Sequence, residues 1–309
     1  MMNIEQSPPI TAASAINWDG VETQAAQLLS QYIQFDTSNP PGNEAPAIEF
    51  LADTLQARGF TPKVIKAAPN RTNLVVCLKS HRATAAPFLL YAHADVVPAD
   101  SAHWTVPPFG GLIRDGFVWG RGALDDKGLG IIFLQALTLL KQQAVPLNRD
   151  IILLIAADEE VSGRYGVAWL LAHHPELIKA EYVWDEGGMG LKHRGGVLYQ
   201  VAIAEKKPLS IQLVARGTPG HASIPNRDNA QDRLVLALYR IKQWARHPRL
   251  TPVVIEMLKT LAAGQPFVKS VLFRYAGNRL VWPLLRPKLE NSPLFSALIR
   301  NTINLTMLQ

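Results

Sequence analysis

The stretch GRGALDDKG, Gly120 to Gly128, sets two adjacent aspartates, Asp125 and Asp126, between a glycine-rich turn and a long apolar run. Neighbouring carboxylates repel one another and are costly to bury, so such a pair calls for positive charge close by. More acids and one histidine recur along the chain, as His93-Ala94-Asp95, Asp158-Glu159-Glu160 and Asp185-Glu186. The spacings of 32, 34 and 26 residues (93 to 125, 125 to 159, 160 to 186) each match one strand–helix repeat of roughly 30 residues. Taken singly, a histidine after a strand serves structure and an acidic pair caps a helix. Taken together, one imidazole and at least three carboxylates in one crevice need a compensating cation. Zinc accepts this mixture of nitrogen and oxygen ligands. Asp125 can bridge two ions while Asp126 turns toward a helix N-terminus. Asp95, two residues beyond His93, is placed to hydrogen-bond its ring. Of Glu159 and Glu160, one can bind metal while the other moves a proton, the pairing that metal-assisted hydrolysis requires.

An α/β fold must position these groups. VETQAAQLLSQYIQF and APAIEFLADTLQARGF carry apolar residues three and four apart and read as helices. NLVVCLK, PFLLYAHADVV, DIILLIAA and AEYVWDE read as buried strands, and GFVWGRGAL as the strand before Asp125. Helical stretches at 126–143 and about 164–175 lie between them. This alternation predicts a mostly parallel sheet with flanking helices, whose crevice at the carboxyl ends of the strands collects the site. TSNPPGNE (37–44) and VPPFGG (106–111) read as loops. Near residue 205 the pattern changes. PLSIQLVARG alternates like a half-buried strand, and RDNAQDRLVLALYRIKQWA is an amphipathic helix with Asp228 or Asn229 at its cap. After Pro248 the chain is Pro-rich and basic, with little periodicity.

Five ordered segments, HADVVP, GRGALDDKG, DEEVSG, DEGG and RGTPGHAS, resemble the motifs of metallopeptidase family 20. The run from His93 to Gly128 is most similar to its carboxypeptidase S and N-acyl-amino-acid hydrolase branch. The resemblance implies a metallopeptidase or amidohydrolase with two zinc ions, cobalt or manganese being alternatives, that cleaves an amide beside a free carboxylate. By motif position it implies His93 and Glu186 on one ion, Asp125 bridging, Glu160 on the second, Glu159 as general base and Asp95 orienting His93. Asp185 competes with Glu186 as a ligand. His221 matches a histidine of a lid domain that reaches a neighbouring subunit's site and stabilises the oxyanion. Residues 1–204 then form the catalytic domain, lacking its C-terminal strands, and 205–309 an inserted, incomplete α+β lid and dimerisation domain. The expected partners are an N-acyl amino acid or small peptide and a second copy of the chain.

The family's second zinc also takes a histidine near the C-terminus. The only histidine beyond His221 is His247, in QWARHPRL, which does not match that position. The expectation is a chain that ends inside the lid and is poorly active alone, with an inactive metal-binding relative as the alternative reading. Composition narrows the rest. A single cysteine, Cys77, excludes an intrachain disulfide and a cysteine-rich zinc site. No G-x-S-x-G or P-loop occurs. No run approaches a membrane span, and the first 20 residues have no apolar leader core, so cytoplasm is the expected compartment. Residues 1–200 hold 15 Lys+Arg against 20 Asp+Glu, and residues 201–309 hold 16 against 5. The basic second part suits an anionic substrate. Its charges form no run of five, so nucleic acid and membrane are not expected partners.

Overall fold

The computed structural model describes residues 16–306, apart from 189, 194–195, 200, 202–205, 208, 222, 225–227 and 245. The strands are β1 (Lys63–Ala68), β2 (Arg71–Leu78), β3 (Phe88–His93), β4 (Leu112–Arg114), β5 (Phe117–Trp119), β6 (Ile151–Ala156), β7 (Tyr182–Trp184), β8 (Gly190–His193) and β9 (Gly196–Tyr199). The helices are α1 (Trp18–Ile33), α2 (Ala45–Ala57), α3 (Lys127–Gln142), α4 (Val167–His173), α5 (Pro175–Ile178), α6 (Ala230–Gln243), α7 (Pro252–Ala262), α8 (Phe267–Arg274), α9 (Trp282–Glu290) and α10 (Pro293–Ile299). They fall into two compact units, residues 1–187 and 188–309. The expected boundary at 204/205 lies outside the described residues.

The first unit is a mixed α/β fold, a five-stranded sheet ordered β1-β2-β6-β3-β7 with helices on both faces. Side chains alternate across each strand. Leu74, Val76, Leu90, Ala92, Leu153 and Ile155 pack under α1, α2 and α3. Val75, Leu89, Ile152 and Leu154 pack against Leu170 of α4 and Ile178 of α5. Burial on both faces explains why β2, β3 and β6 read as continuous apolar runs rather than alternating ones.

The pairing is more mixed than the expected mostly parallel sheet. β6–β3 and β3–β7 are parallel, but β1–β2 and β2–β6 are antiparallel. Strand β1, KVIKAA, gives no clear strand signal in the sequence because lysines interrupt it and none of its residues is buried. It is joined to β2 by a tight turn in which Asn70 has φ 60°, a conformation that asparagine tolerates. A second correction concerns 117–119, which pairs only with β4 in a separate hairpin and is no part of the main sheet. Asp125 is therefore carried by the turn entering α3 and not by a sheet strand.

In the second unit α6 begins where expected, with the Asn229 side chain accepting from Gln231 N at 2.8 Å. The expected strand in PLSIQLVARG is not formed: residues 209–217 belong to no regular element, and Leu209, Ile211 and Val214 are exposed. Period-two alternation makes a strand only when another strand satisfies its backbone groups, and no described strand pairs with it. The stretch after Pro248, read as poorly patterned, folds into α7 to α10 around Leu258, Phe273, Leu285, Leu289 and Ile299. Most of its prolines begin helices, although Pro287 lies inside α9. Pro252, Pro283 and Pro293 stand in the first turns of α7, α9 and α10, where the missing N–H costs nothing. Among the described residues no helix is long and apolar enough to cross a membrane.

The core of the first unit sets its stability. Leu137 of α3 is fully buried against the sheet. Leu137→Ala is expected to lower the unfolding free energy by about 2–5 kcal/mol, measured by urea denaturation; a loss well below that range would show that α3 is not docked as described.

Candidate metal and catalytic site

Parallel pairing of β6, β3 and β7 brings their carboxyl ends to one edge. His93 is the last residue of β3, Asp158-Glu159-Glu160 follow β6, and Asp185-Glu186 follow β7. The turn into α3 delivers Asp125 and Asp126 to the same edge. That turn needs glycine at 122, where φ is +85° and a Cβ would lie 2.8 Å from Val96 Cγ1.

The His93 ring is buried, and Asp95 orients it through its backbone. Nδ1 lies 2.9 Å from the Asp95 carbonyl oxygen and 3.7 Å from its carboxylate. A carbonyl only accepts, so Nδ1 carries the hydrogen and Nε2 faces outward, with a lone pair when the ring is neutral and an N–H when it is charged. That nitrogen faces Asp125 Oδ1 at 3.0 Å and Glu159 Oε2 and Glu186 Oε2 at 3.9 Å each. A lone pair among carboxylates is stable only with a proton or a cation between them. Burial works against protonating His93, but the charges of Asp95, Asp126 and Glu159 outweigh it and hold its pKa above the usual imidazole value. Ligand atoms of His93, Asp125 and Glu186 all lie within 4.8 Å of one another, and one nitrogen with two carboxylates is a donor set that divalent zinc accepts. The residues present thus fit a metal ion.

Glu159 and Glu160 diverge. Glu159 faces the His93 ring, whereas Glu160 Oε1 accepts from Val97 N at 3.2 Å and is not in the three-residue group. Burial raises the Glu159 carboxyl pKa, and Glu186 and Glu160 add to the rise against the pull of His93. Burial likewise raises that of Glu160, with Asp125 adding to it. Asp126 is buried and turned away from the group. Its Oδ2 accepts from His93 N at 3.3 Å, it makes no side-chain cap on α3, and burial lifts it to about 7. His221 lies in the second unit, exposed, with Nδ1 2.8 Å from Ser223 Oγ.

Two supports were missed in the sequence. Lys127, fully buried, donates from Nζ to the carbonyls of Tyr32 (3.1 Å) and Phe35 (2.7 Å) at the C-terminal end of α1, where a cation is favoured. It anchors the start of α3, and with it Asp125, although burial lowers its pKa to about 7. The signal was a lysine at the head of an otherwise apolar helix. Arg71 is the other. Its guanidinium donates to Asp158 Oδ1 (2.9 Å) and the Pro41 carbonyl (2.8 Å) and stands 2.8 Å from Glu44 Oε1. Both Glu44 oxygens are buried without a hydrogen bond, and so is Arg71 Nε, so the pair meets as charges and not through aligned N–H donors.

This makes Glu44 a source of pH dependence. Burial raises its pKa from 4.5 to about 7, with Asp95 adding to the rise and Arg71 opposing it. Between those values the folded chain keeps a proton that the unfolded chain has lost. Its contribution to stability is complete below pH 4.5 and disappears as pH rises through 7. Glu44→Gln is expected to flatten the decline in stability of the metal-free chain between pH 4.5 and 7, read from urea midpoints across that range. An unchanged slope would assign the decline to other groups.

A family model described as peptidase family M20/M25/M40 matches residues 89–271. The N-fatty-acyl-amino acid synthase/hydrolase of Homo sapiens is 33% identical over 233 residues, covering 72% of this chain and 45% of that protein. Aminoacylase-1 of Homo sapiens is 30% identical over 234 residues, 73% of this chain and 56% of that protein. The chain therefore spans about half the length of the curated relatives it matches. Among solved structures, a metallo-carboxypeptidase from Sulfolobus solfataricus aligns with 54% of this chain and 38% of that one, at 24% identity and a TM-score of 0.48.

Proposed function

The chain belongs to peptidase family M20/M25/M40, and from that premise we propose that its site serves metal-dependent hydrolysis of an amide bond beside a free carboxylate. The carrying observation is the placement of His93 Nε2 among the carboxylates of Asp125, Glu159 and Glu186. His93, Asp125 and Glu186 would hold a divalent ion, zinc by preference and cobalt or manganese as substitutes. The bound ion would supply Lewis-acid charge to polarise the scissile carbonyl. Asp125 and Glu160 would hold a second ion, more weakly because Glu160 is engaged by Val97 N.

Glu159 is the general base of this proposal. It takes a proton from the water attacking the amide carbon and returns it to the leaving amine. Its raised pKa suits both halves of that transfer. Asp95 keeps His93 in one tautomer, and Asp126 holds the backbone at the end of β3. An N-acyl amino acid is the proposed substrate class, supported by what the two human relatives are named for and by the basic second part of the chain, with a small peptide bearing a free carboxylate as the alternative. Residues 205–309 would act as lid and dimerisation domain, with His221 donated to a neighbouring copy's site.

Zinc titration of the metal-free chain tests the reading. One tight equivalent is expected, weakened about 10–100-fold or more in His93→Ala. Glu159→Gln should keep that zinc and lose about 10²–10⁴-fold in hydrolysis of an N-acyl amino acid. Zinc held equally well by His93→Ala would sink the site, and undiminished hydrolysis by Glu159→Gln would sink the role of the base.

A further inference from the structure

Behind the candidate site lies a buried polar network of which the proposed chemistry uses only the Asp95 carbonyl. The loop at 37–39 runs beside the residues just past β3. Asn39 N donates to Val96 O at 2.8 Å, Val96 N to Thr37 O at 3.2 Å, and Thr37 Oγ1 to Ala94 O at 2.7 Å. This ladder places the Asn39 side chain, almost fully buried, between two buried carboxylates. Its amide nitrogen donates to Asp95 Oδ2 at 2.7 Å and to Asp158 Oδ1 at 3.0 Å. A primary amide has two hydrogens, and each of these carboxylates receives one.

The two carboxylates do little except hold the segment that carries Glu159 and Glu160. Asp95 accepts from Glu159 N through Oδ1 (3.0 Å) and from Glu160 N through Oδ2 (3.1 Å). Asp158 has φ 65°, a left-handed conformation that its bonds sustain. Arg71 Nη2 donates to Oδ1, and Ser162 Oγ and Tyr165 N donate to Oδ2. Arg71 Nη1 in turn reaches Asn39 Oδ1 at 3.4 Å. The backbone carbonyl of Asp95 meets the His93 ring, so the same aspartate touches the histidine and both glutamates.

We infer that Asn39 is a positioning residue. By bridging Asp95 and Asp158 it sets the backbone of Glu159 and Glu160 and, through the Asp95 carbonyl, the ring of His93. The part of this inference that concerns metal rests on the function proposed above; the part that concerns the backbone does not. An aspartate at 39 would have the same shape, but it would lose both donors and place a third carboxylate against two others, with Arg71 in contact as a partial offset. In water the loss would be slight; at a site this buried an unpaired carboxylate is expensive.

The test compares the parent with Asn39→Asp on two readouts. The first is amide exchange of the metal-free chain by NMR. Protection of Glu159 N and Glu160 N should fall by about tenfold or more, the consequence of losing roughly 1.4 kcal/mol of local hydrogen bonding, while Leu153 and Leu154 in β6 keep theirs. The second is Zn²⁺ affinity, expected to fall about 10–100-fold, the usual effect of removing a partner behind the ligands. A merely structural role would lower protection throughout the sheet and not at these two amides. If Asn39→Asp loses the β6 protection as well, Asn39→Ser, uncharged and with one donor left, carries the same comparison. Unchanged exchange at Glu159 and Glu160 overturns the inference whatever zinc does. Faster exchange there in a parent chain that binds no Zn²⁺ upholds the positioning role and overturns the metal reading instead.

Discussion

The bond between His93 Nδ1 and the Asp95 carbonyl decides what the site can be. It fixes the tautomer, and the tautomer turns an electron pair toward carboxylates that would otherwise repel it. The nearby charges of Asp95, Asp126 and Glu159 raise the imidazole pKa against burial, and His93, Asp125 and Glu186 lie close enough to share a cation. The rest of the first unit can be understood as what keeps this contact in place. Strand β3 is sandwiched between β6 and β7 in parallel register, so three chain segments end together at one edge.

Concentrating acids at a sheet edge is unfavourable, and the structure meets that cost with buried partners rather than with solvent. Asp126 accepts from the backbone of His93, Asp95 from the backbones of the two glutamates, and Asp158 from Arg71. Each acid that supports the site is thus satisfied from behind. Asp125, Glu159 and Glu186 keep side chains partly open to solvent. The division follows burial: a buried carboxylate needs protein donors, and a half-open one can wait for a ligand. Lys127 belongs to the same logic, a buried cation spent on helix carbonyls so that the turn bearing Asp125 cannot drift.

The second unit obeys different constraints. Its four last helices have their own core, while α6 and the stretch 209–217 keep large apolar side chains exposed. Most of the prolines that obscured α7 to α10 stand at helix starts, Pro287 inside α9 being an exception. A reading that counts proline only as a breaker loses these elements, and one that notes Thr251-Pro252 and Ser292-Pro293 as a cap followed by a first turn recovers two of them.

How much was legible depended on the range of the interaction. Residue type and spacing were enough to place helices α1 to α3 and α6, the strands β2, β3, β6 and β7, and the acids and histidine at the ends of the last three, because periodicity and turn chemistry are local; the burial expected of AEYVWDE was not met, since β7 is the edge strand and Tyr182, Val183 and Trp184 are exposed. Family motifs picked out His93, Asp125 and Glu186, which the fold brings together. Tertiary structure alone decided the antiparallel half of the sheet, the separation of 117–119 from it and the failure of 209–217 to form a strand, since pairing depends on which strand is adjacent. It alone turned Glu160 onto Val97, set the Asp95 carbonyl and not its carboxylate within hydrogen-bond distance of the His93 ring, and brought Asn39, Arg71 and Lys127 under the site. Those three come from loops, strand and helix as far as 119 residues apart from the groups they hold, and no local pattern encodes a hydrogen bond made across such a distance.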